Sequence, residues 1–429
     1  MPRIVLTDVT KRYGSFYAVD HLDLVIEDKS FVTLLGPSGC GKTTTLRMIA
    51  GLETPTSGRI EIGNEVVFDG EKGIDVPANR RRVGFLFQNY ALWPNMTVYD
   101  NIAYVLKGRL KNGGGKRDRA GIDAVVRRMA AMVKIEPFLD RYPSELSGGQ
   151  QQRVAIARTL APEPEVVFMD EPLSSLDAKL RLDMRSELQR LHLATGRTFV
   201  YVTHDQMEAM TLATDICLLR NGVLQQYAPP LEVYRRPANL FAADFVGAPS
   251  INFIDAAGSQ TADGSLALTL WGGVPAAFRF EEPVDLARWR AEEAERTARK
   301  EALQAERAER RGFVKKSNED APFPYPVPLA DPGQKPPAPG DDGLVLAVRP
   351  ETVEIGGEGG VEAEVYSAMP TGMETTVLLR VGNFLLTAVV FGGVTFPIGK
   401  TVRLSFRQGG AAIFSRRSGE LIGAGGVEV

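Results

Sequence analysis

Residues 36–43 of this 429-residue chain read Gly36-Pro37-Ser38-Gly39-Cys40-Gly41-Lys42-Thr43. The spacing is that of a glycine-rich phosphate-binding loop, in which Lys and Thr directly follow the last glycine. An apolar run, Phe31–Leu35, precedes the loop, and residues 42–50 have a helical pattern. A strand before and a helix after are the context that separates a phosphate-binding loop from an ordinary glycine turn.

The residue types of this loop predict how each would act on phosphate. Glycine lets successive backbone N–H groups turn toward phosphate oxygens, and the start of the helix adds its positive dipole end. We expect Lys42 to reach the outer phosphates, the Thr43 hydroxyl to bind Mg²⁺ and Thr44 to contact the inner phosphates. Cys40 is interpreted as a small filler of the loop, with a redox role as the alternative.

A second motif is acidic and follows another apolar run, residues 166–169. Asp170, at the end of this predicted strand, is the candidate carboxylate ligand of Mg²⁺. Glu171 points elsewhere because it is one residue further along, and it is the candidate general base for an attacking water. Capping of the next helix is the alternative role for this acidic pair.

Short apolar runs alternate with helical patterns through the first part of the chain. Residues 31–35, 166–169 and 198–203 are apolar or β-branched, and residues 42–50 and 178–193 have helical patterns. Strands buried on both faces are typical of parallel sheets, and the alternation predicts βαβ units. The expected fold of this part is therefore α/β.

Composition excludes several classes of protein. Only two cysteines are present, Cys40 and Cys217, so no disulfide framework is expected. The N-terminal residues lack the apolar segment of a signal peptide, and we find no run of about 18 apolar residues that would span a bilayer. The formal net charge of −3 argues against a general nucleic-acid binder, whose surface would be basic.

A third motif, which we call the signature run, reads Leu146-Ser147-Gly148-Gly149-Gln150. It precedes a helical segment predicted over residues 151–160, so that Ser147 and the glycine backbone would form another anion-binding helix start. A simple serine N-cap with a glycine turn is the alternative. The run lies between the phosphate-binding loop and the acidic strand.

With these three motifs in this order, the first 240 residues or so resemble the ATP-binding cassette (ABC) transporter ATPases. The resemblance implies a P-loop NTPase fold, with a RecA-like core and a helical subdomain at about 89–158, in a cassette spanning 1–239. It further implies that Tyr13 stacks on adenine, that Gln88 of the Q-loop contacts Mg²⁺ or water, and that His204 contacts the γ-phosphate. Asp177 falls in the segment that resembles the D-loop.

The resemblance also implies cofactors and partners. ATP with Mg²⁺ would lie between Lys42 of one subunit and the signature run of its mate, which contributes Ser147, Gly148, Gly149 and Gln150. One phosphate-binding loop and one signature run per chain imply a homodimer, or a pair with a similar ATPase. Such ATPases act with two transmembrane permease subunits, and indirectly with an extracytoplasmic solute-binding protein, at the cytoplasmic face of the membrane.

Other segments resemble one branch of this family, the importers of maltose, trehalose and glycerol phosphate. These are residues 91–98, 201–210, 236–241 and 245–249, together with Val348-Arg349-Pro350-Glu351. The implied function is ATP hydrolysis that powers uptake of a carbohydrate or related solute. Two alternatives remain: an importer ATPase for polyamine, sulfate or a metal ion, and a soluble ABC protein that acts outside transport.

A second domain is expected over 240–429, where short strands and glycine turns predict a small barrel. The resemblance implies that this is an OB-like, TOBE-type regulatory domain. An insertion at about 285–341 interrupts it. Residues 285–311 hold 15 charged residues and predict an exposed helix, either a docking element or a solvated spacer. Residues 322–339 hold eight prolines and predict an extended or disordered linker.

Overall fold

The computed structural model describes residues 3–111, 119–311, 323–333, 343–357 and 359–429. The chain divides into two compact units, Met1–Pro230 and Leu231–Val429. The division that the sequence favours, after residue 239, lies inside the second unit and stays a prediction. Among the helices of the described residues, none combines the length and apolar composition needed to cross a membrane.

The described residues of the first unit form eleven strands and six α-helices. The strands are β1 (Ile4–Tyr13), β2 (Phe16–Ile26), β3 (Phe31–Leu35), β4 (Ser57–Ile62), β5 (Glu65–Asp69), β6 (Ile74–Asp75), β7 (Val83–Leu86), β8 (Val166–Asp170), β9 (Thr198–Val202), β10 (Asp215–Arg220) and β11 (Val223–Ala228). The helices are α1 (Lys42–Ala50), α2 (Val98–Lys111), α3 (Arg119–Met132), α4 (Gly148–Leu160), α5 (Ala178–Thr195) and α6 (Gln206–Leu212).

The central sheet of this unit has the strand order β11-β10-β3-β9-β8-β7. All its pairs are parallel except β10 with β11. Strands β3, β8 and β9 are buried along their whole length, as their apolar sequences predict. Because parallel neighbours run in the same direction, the loops that follow these three strands meet at one edge of the sheet.

A second, antiparallel sheet has the order β2-β1-β4-β5-β6. Helices α2, α3 and α4 pack around a shared core that includes Ile102, Val126 and Ile156. Helix α4 begins at Gly148, three residues before the predicted start, because the Ser147 side chain accepts a hydrogen bond from the backbone of Gln150 and caps the helix. The α/β fold with a group of helices is therefore confirmed.

The second unit is mainly β. Its described strands are β12 (Asn252–Gln260), β13 (Leu266–Leu270), β14 (Val274–Phe280), β15 (Leu344–Val348), β16 (Val353–Ile355), β17 (Val361–Pro370), β18 (Glu374–Val381), β19 (Phe384–Phe391), β20 (Thr401–Phe406), β21 (Ala411–Ser415) and β22 (Leu421–Glu428). The helices are α7 (Pro230–Arg235), which begins at the boundary, α8 (Leu240–Phe245) and α9 (Leu286–Arg311).

Six of these strands close a barrel in the order β12-β13-β14-β22-β21-β15. The remaining five form a separate sheet in the order β16-β20-β17-β18-β19. Side chains of the barrel and of this sheet share one apolar core, to which Leu268, Leu346, Val377 and Leu404 contribute. The predicted C-terminal domain of β-strands is thus confirmed, and the sheet beside the barrel is a feature that the sequence did not predict.

The charged helix is present as α9, but the prediction that it is simply exposed is wrong for its first turns. Leu286 is 5% exposed, Trp289 packs against the core of the second unit, and Glu293 is 6% exposed. Their spacing of three and four residues places them on one face of the helix. Two apolar residues in a charged run thus pack this end of the helix against the core.

The described part of the proline-rich stretch, residues 323–333, is extended, as predicted, but it is not a free linker. Phe323 and Tyr325 pack against the second unit, and the Tyr325 hydroxyl donates to Asp255 Oδ1 at 2.6 Å. The backbone N–H of Leu385 donates to the Pro328 carbonyl at 2.9 Å. The other predicted linker residues, 322 and 334–339, lie outside the described residues.

Candidate nucleotide-binding and hydrolysis site

The phosphate-binding loop lies between β3 and α1, as its sequence predicts. Gly36 and Gly41 have φ angles of 152° and 98°, in a region that favours glycine. A Cβ atom on Gly36 would lie 2.2 Å from the Leu219 carbonyl oxygen, and one on Gly41 would lie 2.2 Å from that of Ala18. These two positions therefore require glycine for space as well as for backbone conformation.

Lys42 is nearly buried, with 5% of its surface exposed. Its Nζ donates to the carbonyl oxygens of Gly36 at 2.7 Å and Pro37 at 2.9 Å, so that the side chain folds back over the loop. Cys40 Sγ lies 3.7 Å from the same nitrogen, and burial raises the pKa of the Cys40 thiol. A buried, protonated thiol fits the filler role better than a redox role.

The remaining loop positions surround the start of α1. Ser38 and Gly39 are exposed at the tip of the loop, and Thr44 is half-buried in the first turn of the helix. Exposed backbone at the start of a helix is where an anion is best stabilised.

The two candidate metal ligands Thr43 and Asp170 lie side by side. Thr43 Oγ1 donates to Asp170 Oδ1 at 2.9 Å, and Arg47 Nη2 lies 3.5 Å from Asp170 Oδ2. Asp170 is 4% exposed, and burial raises the pKa of its carboxyl group. A hydroxyl and a carboxylate are the hard oxygen donors that Mg²⁺ takes, so the pair fits this metal.

The three candidate catalytic residues converge on one carboxylate oxygen. Gln88 Nε2 and His204 Nδ1 each lie 3.4 Å from Glu171 Oε2. Glu171 has a φ of 45°, and its backbone N–H donates to the Val202 carbonyl at 3.1 Å, which turns the chain sharply after β8. The Glu171 side chain is 23% exposed. A partly exposed carboxylate between an amide and an imidazole can accept a proton from water.

The segment around Asp177 is connected to the segment after His204. Asp177 caps α5 by accepting from the Leu180 N–H at 2.9 Å. Arg181, on the first turn of α5, donates to the Leu176 carbonyl at 3.0 Å and lies 3.4 Å from Asp205 Oδ2. Arg181 has no motif of its own, so the sequence reasoning missed this link.

The signature run forms the start of α4. Gln150 Oε1 accepts from the Ser147 N–H at 2.9 Å, and the Gln150 N–H lies 3.4 Å from Ser147 Oγ. Ser147 and Gly148 are exposed, whereas Gly149 is buried against Leu180. Within the described part of the chain, no hydrogen bond or ion pair joins the signature run to the phosphate-binding loop. Over the same described residues, the polar contacts of one chain therefore do not link these two predicted parts of the site.

Tyr13 lies at the end of β1 and is 49% exposed. Lys11 Nζ lies 4.8 Å from the centre of its ring. An exposed aromatic ring at a strand end is available for stacking on a planar base.

The sequence reasoning also missed Arg158, which contacts the segment that follows Gln88. Its guanidinium donates to the carbonyl oxygens of Tyr90 and Ala91, each at 2.6 Å. One signal was present, because Arg158 is a charged residue at the end of the apolar run 154–157 on α4. A buried charge in a helix core indicates a specific partner.

Comparison with known proteins gives a consistent picture. The ABC transporter family matches residues 19–174, and the TOBE domain family matches residues 346–414. The chain is 38% identical over 422 residues to an uncharacterized ABC transporter ATP-binding protein of Sinorhizobium fredii, covering 98% of this chain and 95% of that one.

Two relatives with more specific names match mainly the first part of the chain. A trehalose/maltose import ATP-binding protein of Thermococcus litoralis is 53% identical over 256 residues, covering 60% of this chain and 67% of that protein. An sn-glycerol-3-phosphate import ATP-binding protein of Paracoccus denitrificans is 48% identical over 273 residues, covering 63% of this chain and 74% of that protein.

Proposed function

Because this chain belongs to the ABC transporter ATP-binding proteins, we propose that it hydrolyses ATP to power import of a carbohydrate or related solute. The observation that carries the proposal is the convergence of Gln88 and His204 on Glu171, beside the contact between Thr43 and Asp170. The class of solute is supported by two relatives, which are named as import ATP-binding proteins for trehalose/maltose and for sn-glycerol-3-phosphate.

The site residues divide into those that hold ATP and those that act on water. The backbone of residues 36–41 and the Lys42 ammonium bind the phosphates, with Thr44 on the inner phosphates and Tyr13 against adenine. Thr43, Asp170 and Gln88 would hold Mg²⁺, which when bound neutralises charge on the phosphates.

We expect Glu171 to accept the proton of the attacking water, because its carboxylate is partly exposed and lies beside Gln88 and His204. The Gln88 amide orients Glu171 and that water. The His204 imidazole, whose Nδ1 lies 3.4 Å from Glu171 Oε2, would contact the γ-phosphate. Catalysis therefore rests on positioning and charge stabilisation, as in other phosphoryl transfers.

A complete site needs two chains. Ser147, Gly148, Gly149 and Gln150 of one chain would cover the nucleotide that is bound to the loop of a second copy, or of a similar ATPase, with Asp177 beside the same interface. The exposed capped start of α4 supports this arrangement, because it offers backbone N–H groups to an anion. Two permease subunits would bind this dimer at the cytoplasmic face of the membrane, and a solute-binding protein would act through them.

The test uses the transporter isolated through a tag on this chain. We expect ATP hydrolysis to rise when a solute-binding protein loaded with maltose, trehalose, sn-glycerol 3-phosphate or xylose is added. A rise with spermidine, sulfate or a metal ion alone would contradict the carbohydrate class. Absence of ATP hydrolysis under every condition, with folding verified by circular dichroism, would contradict the ATPase function itself.

A further inference from the structure

The side chain of Arg158 connects the helix of the signature run to the backbone that follows Gln88. Arg158 lies on α4 and is 7% exposed. Its Nη1 donates to the Ala91 carbonyl and its Nη2 to the Tyr90 carbonyl, each at 2.6 Å. The planar guanidinium presents two parallel N–H groups, which match two adjacent carbonyl oxygens.

The two carbonyl groups belong to an unusual turn. Tyr90 and Ala91 have φ angles of 58° and 46°, so that two adjacent residues with side chains are left-handed. Residues other than glycine rarely adopt this conformation, and it persists only where surrounding contacts hold it. Within the turn itself, the Ala91 N–H donates to the Asn89 carbonyl at 2.6 Å. From outside the turn, the Arg158 guanidinium binds the carbonyl groups of both left-handed residues.

The same turn is anchored next to the candidate catalytic residues. The Tyr90 hydroxyl lies 2.8 Å from Ser175 Oγ, close to the end of β8 along the chain. Gln88 Nε2, two residues before Tyr90, lies 3.4 Å from Glu171 Oε2. A change in the backbone of the turn would therefore move the Gln88 amide relative to Glu171.

An aromatic ring beside the turn reports on its conformation. The Arg158 guanidinium carbon lies 4.9 Å from the centre of the Trp93 ring. The centres of the Trp93 and Tyr104 rings lie 4.5 Å apart. The backbone of Trp93 is held separately, since its N–H donates to Asn101 Oδ1 at 2.9 Å. Loss of the guanidinium would thus change the surroundings of the Trp93 ring while leaving its backbone anchored.

We infer that Arg158 is a positioning residue for ATP hydrolysis, which holds the Tyr90–Ala91 turn in its left-handed conformation and thereby sets Gln88 against Glu171. The inference rests on the proposed function, because it takes Gln88 and Glu171 as catalytic residues. It also provides a physical path from the signature run to the hydrolysis site of the same chain. Because Arg158 lies on α4, a shift of this helix would act on the two carbonyl groups that Arg158 binds.

The first test is Arg158→Lys in the full chain, with Trp271 and Trp289 replaced by Phe so that Trp93 is the single tryptophan. Lysine keeps the charge but cannot form two parallel hydrogen bonds. We expect kcat to fall about tenfold, because small misplacement of a catalytic group is costly, while KM for ATP stays within about twofold. Trp93 emission should shift to longer wavelength.

The second test adds Ala91→Gly, because glycine adopts left-handed backbone without steric penalty. In the R158K background, this change should restore kcat by about threefold or more, since the turn then depends less on the clamp. If A91G leaves the R158K defect unchanged, Arg158 does not act through the turn. A merely structural defect would lower the melting temperature without a rescue specific to Ala91.

Arg153→Lys is the matched control, because Arg153 lies on the same helix and its Nη1 is 3.4 Å from the Val133 carbonyl, away from the turn. It should change neither kcat nor Trp93 emission. Equal effects of R153K and R158K, or none of R158K on either measurement, would overturn the inference. If the wild-type chain hydrolyses no ATP, the proposed function fails, and Trp93 emission still decides whether Arg158 holds the turn.

Discussion

Two polar residues, Arg349 of the second unit and Glu171 of the first, are held in opposite ways. In the second unit, Arg349 is 3% exposed and donates to the carbonyls of Tyr234 at 2.6 Å, Val246 at 2.6 Å and Ala243 at 3.2 Å. In the first unit, Glu171 is 23% exposed, and its Oε2 lies 3.4 Å from both Gln88 Nε2 and His204 Nδ1. A satisfied buried group holds elements together, whereas a loosely held group at a strand end is available for chemistry.

The largest expected effect follows from loss of Arg349, the buried and hydrogen-bonded residue of this pair. Arg349→Ala removes the guanidinium that donates to three carbonyl oxygens. The same group lies 4.0 Å from the centre of the Tyr234 ring. We expect the free energy of unfolding to fall by about 3–5 kcal/mol, measured by urea denaturation with tryptophan fluorescence.

Arg407→Ala is the control for this change. Arg407 is 65% exposed and lies 3.1 Å from Glu354, so its loss should cost less than about 1 kcal/mol. Similar losses for the two variants would show that the buried contacts of Arg349 do not hold the second unit together.

The next largest effect is on ATP hydrolysis and follows from a change at Glu171, the partly exposed residue of this pair. Glu171→Gln keeps the shape of the side chain and removes its ability to accept a proton. We expect kcat to fall by about 10²-fold or more, while ATP binding and melting temperature stay unchanged. Steady-state hydrolysis and binding of a fluorescent ATP analogue measure the two properties. Glu165→Gln, at an exposed position just before β8, should leave both unchanged, and normal turnover in E171Q would remove Glu171 from its proposed role.

A third change tests whether satisfied polar contacts also join the barrel to its neighbouring sheet. Asn252 Nδ2 donates to the carbonyls of Val348 at 3.2 Å and Thr387 at 2.8 Å, and its Oδ1 accepts from the Thr387 N–H at 2.7 Å. Asn252→Ala should lower the free energy of unfolding by about 2 kcal/mol, with kcat unaffected. A loss below about 0.5 kcal/mol would mean that apolar packing alone joins them.

The smallest effect concerns the ion pairs of Arg296 and Lys300, on α9, with the partly buried Glu420. Burial by itself would raise the pKa of Glu420, but the contacts with Lys300 and Arg296 outweigh it and hold that pKa below its ordinary value. The resulting stabilisation is therefore present above about pH 4.3 and is lost as the pH falls through the lowered folded-state pKa. We expect Glu420→Gln to cost less than about 1 kcal/mol at pH 7.

This cost should shrink in acid and in 1 M salt, where Debye screening acts over only about 3 Å. Unfolding of the wild type and E420Q at pH 7 and below pH 4 measures the difference. A cost that is independent of both pH and salt would show that the contact contributes through packing rather than charge.

Much of the fold was predictable, because short sequence patterns determine many of its strands and helices. Buried strands β3, β8 and β9 follow from apolar runs, and the barrel follows from short strands with glycine turns. The docking of Leu286 and Trp289 was not predictable in the same way, since their spacing indicates a helix face but not what covers it. Similarly, the prolines of residues 323–333 predict an extended backbone, but they do not predict which strand this segment contacts.

By itself, the sequence determined the chemistry that this protein has available. The loop of residues 36–43, the acidic pair Asp170 and Glu171, and the signature run are local patterns, and each specifies its own backbone conformation through neighbouring residues. Only the tertiary structure decided that Gln88 and His204 both approach Glu171, and that Arg158 holds the turn after Gln88. These contacts join residues far apart along the chain. The order of strands in the sheet and the packing of α4 set their distances, and no local pattern records either.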